Sequence, residues 1–340
     1  MHKITYKLDN IIDDLDKYIK IIMSNIMMQD IHKKTDYNNR IFNRILKDVK
    51  SKLTSRCSLI DYFEYISPLF SKKSPNSNTR FFYRGQYNGN YGLRSGVYRY
   101  NNFDKEDFLY HEMLVRCPND FKNTTHLEKL TIMQHYGCPT RLLDITSNPL
   151  VALYFSCKNN KCRRCDNKDE GSIYIFDVDS NDMVYADSAQ ALILSCLPRF
   201  NKENKKKIFD IANKNIKKNC FPKNTNGQYL DKVIERLFYE ISCEVPSFKR
   251  DIKPIDLLRP LYVQPDKMNN RILKQDGAFI ISGLSSNRYE EQLKLAALSF
   301  MHLKIINKEY ILKQLDTIGI NEATLFPEIE NVAHYLNSIK

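Results

Sequence analysis

The fold is decided by residues 134–156, which read QHYGCPTRLLDITSNPLVALYFS. Gly137 is placed to end one helix, because glycine readily adopts the left-handed conformation that a helix C-terminus needs, and Pro139 prevents the helix from continuing. Pro149 suits the first position of a second helix, and the apolar run LVALYF at 150–155 predicts that this helix is buried. Three residues just before it are good N-caps: Thr146, Ser147 and Asn148.

Two charged residues, Arg141 and Asp144, interrupt the apolar residues between these helices. Charged side chains in an apolar run either pair with each other or bind a ligand, because a buried and unpaired charge costs free energy. They lie close to the start of the buried helix, where main-chain N–H groups and the helix dipole favour anions. Two interpretations are open at this point: an anion-binding site, or a well-capped core helix with a structural salt bridge.

Composition limits the class of protein. The 340 residues carry a net charge of +12, which favours a polyanionic partner or an anionic ligand. The 9 cysteines show no regular framework, and the charged start lacks the apolar core of a secretory signal. No apolar run approaches the roughly 20 residues that a membrane span needs. We therefore expect a cytoplasmic protein with reduced thiols and no membrane contact.

Helical and strand patterns alternate irregularly along the chain, which predicts the α+β class. Residues 1–55 are predicted to form an N-terminal helical extension, either packed on the main domain or contacting another protein, and residues 56–340 the main domain. Strands are predicted within RFFYRGQ (80–86), where Phe81, Phe82 and Tyr83 are strand formers, and at GSIYIFDVD (171–179) and AFIIS (278–282). The first strand is expected to stop at Arg84-Gly85, where a glycine would let the main chain approach a ligand.

Other features of the sequence leave alternatives open. Residues 202–218 predict a strongly basic helix, either a solvated face or a contact for nucleic acid or an acidic protein. Cys157, Cys162 and Cys165 have a C-x4-C-x2-C spacing, but a structural zinc site needs four ligands, so we expect no metal.

Several of these segments together resemble a known family. FYRG at 82–85 and QHYGCPTRLLDITSNPLVALYF at 134–155 are similar to the FRG domain, which is named after its aromatic-Arg-Gly motif. GSIYIFDV at 171–178, the segment 257–283 and LDTIGINEATLFPEIE at 315–330 resemble its later parts. The resemblance covers roughly residues 55–335, and its second motif is the most specific.

FRG domains resemble, more distantly, the ADP-ribosyltransferase fold, a split-sheet core surrounded by helices. That resemblance implies that NAD is the substrate and that ADP-ribose is transferred or NAD is cleaved, as in an effector or toxin of bacterial antiphage defence. It assigns Arg84 to the phosphates of NAD and the main chain of Gly85 to the nicotinamide amide, with Tyr83 beside them. His135, Arg141 and Asp144 would shape the cleft, with Asp144 paired to Arg141 rather than taking part in the chemistry.

The remaining catalytic positions follow from the same resemblance. Thr146 and Ser147 would brace Arg84 and the ribose. Gln275 or Asp276 would contact the nicotinamide ribose, at the position where transferases carry a glutamate. A glutamine there can bond a hydroxyl but supplies no charge, so either Asp276 substitutes or NAD is bound without efficient transfer.

Two other classes of function compete with the enzyme. The net charge and the basic helix suit a nucleic-acid-binding module, whose affinity would fall steeply with salt. Residues 1–55 suit a protein-interaction scaffold in which the FRG part only senses a ligand. Nucleic acid or protein could equally be the acceptor of ADP-ribose.

Overall fold

A computed structural model describes residues 58–71, 78–99, 102–158, 170–248, 252–266 and 270–338. The predicted N-terminal extension, and the loop with Cys162 and Cys165, lie outside these residues and stay predictions. The described part combines helices with one open sheet, which confirms the α+β class. None of the described helices has both the length and the apolar character that crossing a lipid bilayer requires.

The sheet has seven strands in the order β4-β5-β6-β2-β1-β3-β7. Neighbouring strands are antiparallel except for β4 and β5, which are parallel. The strands are β1 (Thr79–Gln86), β2 (Leu142–Thr146), β3 (Gly171–Asp179), β4 (Met183–Tyr185), β5 (Leu261–Gln264), β6 (Gly277–Ile281) and β7 (Met301–Ile305).

The pairing between β1 and β2 is short and divides this sheet into two halves. All eight residues of β1 pair with β3, whereas β1 and β2 pair at one register, Tyr83 opposite Thr146. Beyond that pair, Arg84–Gln86 and the first residues of β2 separate. The sheet is therefore open along its middle, between the half that ends in β4 and the half that ends in β7.

The helices of the described part surround this sheet. They are α1 (Leu59–Ser71), α2 (Gly96–Arg99), α3 (Glu106–Arg116), α4 (His126–His135), α5 (Pro149–Cys157), α6 (Ala189–Cys196), α7 (Lys202–Asn215), α8 (Lys232–Glu244), α9 (Asn270–Lys274), α10 (Arg288–Ala296), α11 (Lys308–Thr317), α12 (Glu322–Leu325) and α13 (Ile329–Ser338). Short 3-10 turns occur at Asn102–Lys105, Pro118–Phe121, Leu197–Arg199 and Pro254–Leu257.

The core consists of three apolar clusters. On one face of the sheet, α4, α6 and α8 pack on β2, β5 and β6, while α1, α5 and α11 pack on β1, β3 and β7. On the other face, Leu295 of α10 packs with residues of β1, β2, β3 and β6. The two helix layers on the first face leave a gap between α4 and α5, above the line where the halves of the sheet separate.

Local signals set the helix ends as the sequence predicts. Thr125 and Glu128 form a reciprocal capping box at the start of α4, and Gly137 follows the helix with φ of +80°. The side chain of Asn148 accepts a hydrogen bond from the main-chain N–H of Leu150, and Pro149 is the first residue of α5. The predicted buried helix after the turn is confirmed.

Gly85 has a different role from the expected one. The strand β1 does not stop there but continues to Gln86, so the prediction of its end was wrong. A Cβ atom at position 85 would lie 1.9 Å from the carbonyl oxygen of Ala152 and 2.7 Å from the nitrogen of Ser156. Glycine is therefore required because the main chain of α5 lies directly on β1.

The predicted pairing of Arg141 with Asp144 is also wrong. Arg141 is fully buried and binds Glu106 through two hydrogen bonds of 2.6 and 2.9 Å, and it donates a third to the carbonyl of Ser282. Lys205 of α7, also fully buried, donates to the same carboxylate at 2.7 Å. Arg141 thus ties β2 to α3 and α7 inside the protein, where burial forces it to find a partner.

Candidate functional site

A cavity of about 370 Å³ opens where the two halves of the sheet separate. It lies within the size range of ligand pockets. Its walls come from β1, β2, β6, α2, α4, α5 and α9 and from the loop after β1. The lining residues are Tyr83, Arg84, Gly85, Gln86, Tyr87, Tyr91, Arg99, Thr131, Gln134, His135, Asp144, Ile145, Thr146, Val151, Phe155, Arg271, Ile272, Gln275, Gly277, Ala278 and Phe279.

Arg84 bridges the two separating strands. Its Nη1 donates a hydrogen bond of 2.6 Å to the main-chain carbonyl of Asp144 and lies 3.7 Å from the carboxylate oxygen Oδ2. Its Nε is buried and has no hydrogen-bond partner among the described residues. Burial lowers the pKa of Arg84 to about 10, opposed by Asp144 and helped by Arg99. The side chain therefore stays charged at neutral pH while its hydrogen-bonding capacity is incompletely used, which favours an anionic ligand.

Asp144 is the one acidic side chain among the described lining residues. Its side chain is 64% exposed, and Gln134 holds Oδ1 by a hydrogen bond of 2.6 Å from Nε2. Thr140 in turn donates its hydroxyl to the side-chain oxygen of Gln134. A chain of two hydrogen bonds thus orients the carboxylate, while the side chain stays accessible from the cavity.

Thr146 and Ser147 connect β2 to the residues before β6 rather than bracing Arg84. The hydroxyl of Thr146 donates to the carbonyl of Gln275 at 2.6 Å, and the main-chain N–H of Ser147 donates to the carbonyl of Asp276 at 3.1 Å. Thr146 lines the cavity, but Ser147 is exposed and is not among the lining residues. The expected contact of these two residues with Arg84 is wrong, because their polar groups already link β2 to the β6 side.

The two candidates for the carboxylate position lie in different places. Gln275 lines the cavity, and its Nε2 donates to the main-chain carbonyl of Leu325 at 3.0 Å. Asp276 is exposed, has φ of +45° and does not line the cavity. Neither residue therefore presents a carboxylate to the cavity.

His135 lies at the C-terminal end of α4 and does line the cavity, as expected. Its Nε2 is 2.7 Å from Oε1 of Glu328, and its ring stacks on Tyr136. Burial acts to raise the pKa of Glu328, but hydrogen bonds from its own main chain, His135 and Asn331 outweigh burial and lower that pKa. The segment 325–328 thus holds both His135 and Gln275 from outside and closes one end of the site.

Tyr83 and Gly85 form part of the cavity floor. Tyr83 is 1% exposed, and burial raises the pKa of its hydroxyl to about 12, so it stays neutral. Arg141 does not line the cavity, because its guanidinium is buried against Glu106. Of the three charged residues expected at the site, Arg84 and Asp144 therefore line the cavity and Arg141 does not.

Sequence reasoning missed two further arginines of the cavity. Arg99 ends α2, and its guanidinium donates to the carbonyl of Arg94. Arg271 lies in α9, four residues before Gln275, with its guanidinium 4.6 Å from the ring centre of Phe326. The four-residue spacing to Gln275 was a signal for Arg271, whereas Arg99 offered only its place in a glycine-rich segment.

Aromatic rings are a second group that the sequence did not identify as part of the site. They come from the loop after β1, from α5 and from β6, and they are Tyr87, Tyr91, Phe155 and Phe279. Three guanidinium groups, one carboxylate and several rings give the cavity net positive charge and flat apolar surfaces. Such a lining suits a ligand that combines phosphate groups with planar rings.

The structure offers no cluster of three or more metal-ligating side chains among the residues it describes. Cys157 is buried, and burial raises the pKa of its thiol to about 12, so this thiol is protonated at neutral pH. Cys162 and Cys165 lie outside the described residues.

Comparison with known proteins identifies one family. The model of the FRG domain matches residues 79–164, a segment that includes β1, β2 and α5 and therefore Arg84, Asp144 and Thr146. No curated protein and no solved structure matches the chain. The match agrees with the motifs at 82–85 and 134–155, and the chain therefore contains an FRG domain.

Proposed function

We propose that the protein binds NAD in the cavity between the two halves of its sheet and cleaves the bond between nicotinamide and ribose. ADP-ribose then passes to a protein or nucleic-acid acceptor, or to water. The observation that carries the proposal is Arg84, a largely buried cation at the point where β1 and β2 separate, whose Nε has no hydrogen-bond partner among the described residues. A role as a bacterial defence effector would rest on this same activity.

The residues of the cavity fit the parts of NAD. Positive charge for a pyrophosphate comes from three lining arginines, Arg84, Arg99 and Arg271. One guanidinium group can donate two parallel hydrogen bonds to the oxygens of a phosphate. The aromatic side chain of Phe155 offers a surface for a planar ring. The distant resemblance to ADP-ribosyltransferases, which also place NAD in a split sheet, supports the same ligand.

The experiment that tests the proposal measures NAD binding by calorimetry and nicotinamide release on the same samples. Arg84→Ala should weaken binding roughly 10- to 100-fold, on the scale of a lost charge-assisted hydrogen bond. Arg80→Ala is the matched control, because Arg80 lies on the same strand, is exposed and does not line the cavity. No binding by the wild type at millimolar NAD would refute the proposal.

A second candidate function is binding of nucleic acid without catalysis. The observation that favours it is the outer face of α7, where four exposed lysines lie along the helix: Lys202, Lys206, Lys207 and Lys214. Cationic faces of this kind bind phosphate backbones with an affinity that falls steeply with salt. A steep salt dependence of RNA or DNA binding, unchanged by Arg84→Ala and without nicotinamide release, would favour this function over the first.

A further inference from the structure

The proposed reaction needs a group that stabilises positive charge on the ribose. As the bond between nicotinamide and the ribose breaks, positive charge develops on the ribose, and a carboxylate close to it would stabilise that charge. Gln275 is neutral, and its amide nitrogen is committed to the carbonyl of Leu325. Asp276 is exposed outside the cavity. The carboxylate must therefore come from another element of the site.

Asp144 is in the right place to supply it. It lies in the middle of β2, opposite Phe279 of β6, with its side chain in the opening between the two halves of the sheet. Of the described residues that line the cavity, it alone carries a carboxyl group. The cationic Arg84 lies beside it, 3.7 Å from Oδ2, so groups that would hold the phosphates and a group that would stabilise the ribose share one cavity.

The surroundings of Asp144 favour a defined orientation. Gln134 donates to Oδ1 at 2.6 Å, and Thr140 fixes the amide of Gln134 by donating to its oxygen. Because the amide oxygen accepts from Thr140, the amide nitrogen must face the carboxylate. Oδ2 lies 3.7 Å from Nη1 of Arg84, a longer distance than the one between Oδ1 and Gln134, so Oδ2 remains available to a ligand. This is the arrangement of a carboxylate held by positioning residues at a reaction centre.

We propose that Asp144 is the catalytic carboxylate of this site and that Gln134 positions it. The inference rests on the proposed function. The bond between C1′ of the ribose and the nicotinamide nitrogen breaks, and its electron pair leaves with the nicotinamide. The acceptor hydroxyl or water then bonds to C1′, and the Asp144 carboxylate takes its proton. Asp144 stabilises the positive charge between these two events.

The test compares NAD binding and nicotinamide release in Asp144→Asn and in the wild type. Asparagine preserves the size of the side chain and can still accept from Gln134, and position 144 is exposed, so we expect a folded protein. The dissociation constant for NAD should stay within about threefold, while kcat should fall at least about 100-fold, the range of a lost general base. Asp187→Asn, an exposed carboxylate outside the cavity, is the control and should match the wild type.

Further variants separate catalysis from a structural role. Asp144→Glu should recover part of kcat, because it restores the charge. Gln134→Leu should lower kcat with little change in NAD affinity, since it removes only the group that orients the carboxylate.

Three results would overturn the inference. Unchanged release by Asp144→Asn, or loss of release in Asp276→Asn instead, would place the catalytic carboxylate elsewhere and leave the proposed function intact. Loss of NAD binding together with activity in Asp144→Asn would make Asp144 a binding residue only. A wild type that neither binds nor cleaves NAD would remove the proposed function, and the inference with it.

Discussion

Replacement of Gly85 by alanine tests whether the glycine of the FRG motif serves helix packing. The added Cβ would lie 1.9 Å from the carbonyl oxygen of Ala152, and 2.9 Å from its carbonyl carbon. Ordinary contacts of carbon with a carbonyl oxygen are about 3.3 Å or longer, so α5 and β1 would have to move apart by more than about 1 Å. Both atoms are main-chain atoms of a buried helix, so no side-chain rotation can relieve the clash.

The expected cost follows from known overpacking effects. Inserting a methyl group into a packed core costs about 1–3 kcal/mol, and the rigid neighbour here places Gly85→Ala near the upper end. Alanine also lowers the conformational entropy of the unfolded chain, which offsets up to about 1 kcal/mol of this cost. We therefore expect a net loss of about 2 kcal/mol in the free energy of unfolding.

Urea denaturation followed by circular dichroism measures this loss, since the chain has no tryptophan to report by fluorescence. Gly277→Ala is the matched control: it is also a strand glycine of the cavity, but a Cβ there would have its nearest neighbour at 3.5 Å, an ordinary contact. The control should stay within about 0.5 kcal/mol of the wild type. If Gly85→Ala behaves like the control, the argument from helix packing fails.

Other predictions concern buried charge and the wall of the cavity. Glu106→Gln leaves two buried cations without their carboxylate and should lower the free energy of unfolding by about 3–5 kcal/mol in urea denaturation. The matched control is Glu112→Gln, a partly exposed carboxylate of the same helix, which should lower it by less than about 0.5 kcal/mol. Burial acts to raise the pKa of Glu106, but the buried Arg141 and Lys205 outweigh burial and lower that pKa. The charged carboxylate therefore stabilises the fold fully above the ordinary pKa range of glutamate, and this stabilisation is lost as the pH falls through the lowered pKa. Urea midpoints measured over a series of pH values should show this loss of stability in acid for the wild type and should lack it for Glu106→Gln. Gln275→Glu places a carboxylate oxygen against the main-chain carbonyl of Leu325, so it should lower the free energy of unfolding by about 1–3 kcal/mol. It should not raise the rate of nicotinamide release. Unaltered stability together with faster release would contradict the structural role of the Gln275 hydrogen bond.

Features that depend on neighbours in the chain were predictable from the sequence. The ends of α4 and α5 follow from Thr125, Gly137 and Asn148, whose effects act within one helical turn. The strand at 277–281 and the buried helix after the turn follow from apolar patterns of the same short range. Of the polar residues just before that strand, Gln275 lines the cavity and Asp276 does not.

Features that depend on distant partners were not predictable. Arg141 and Asp144 are three residues apart and suggested a pair, but Arg141 finds its partner 35 residues away in Glu106, and Asp144 faces Arg84, 60 residues away. Arg141 lies just before β2 and Asp144 within it, and only the tertiary fold determines which partner each side chain meets. Arg271 joined the site for the same reason, because α9 reaches the cavity through the pairing of β6 with β2.

The single pairing between Tyr83 and Thr146 has a consequence for amide hydrogen exchange. An opening that pulls β2 away from β1 breaks the pairing at one register, whereas separating β1 from β3 breaks it along the whole strand. The slowest-exchanging amides should therefore form two separate groups, one in each half of the sheet, with faster exchange along the line between them. A ligand that bridges this line would slow exchange there first, and the protection pattern would report occupancy of the cavity without any measure of turnover.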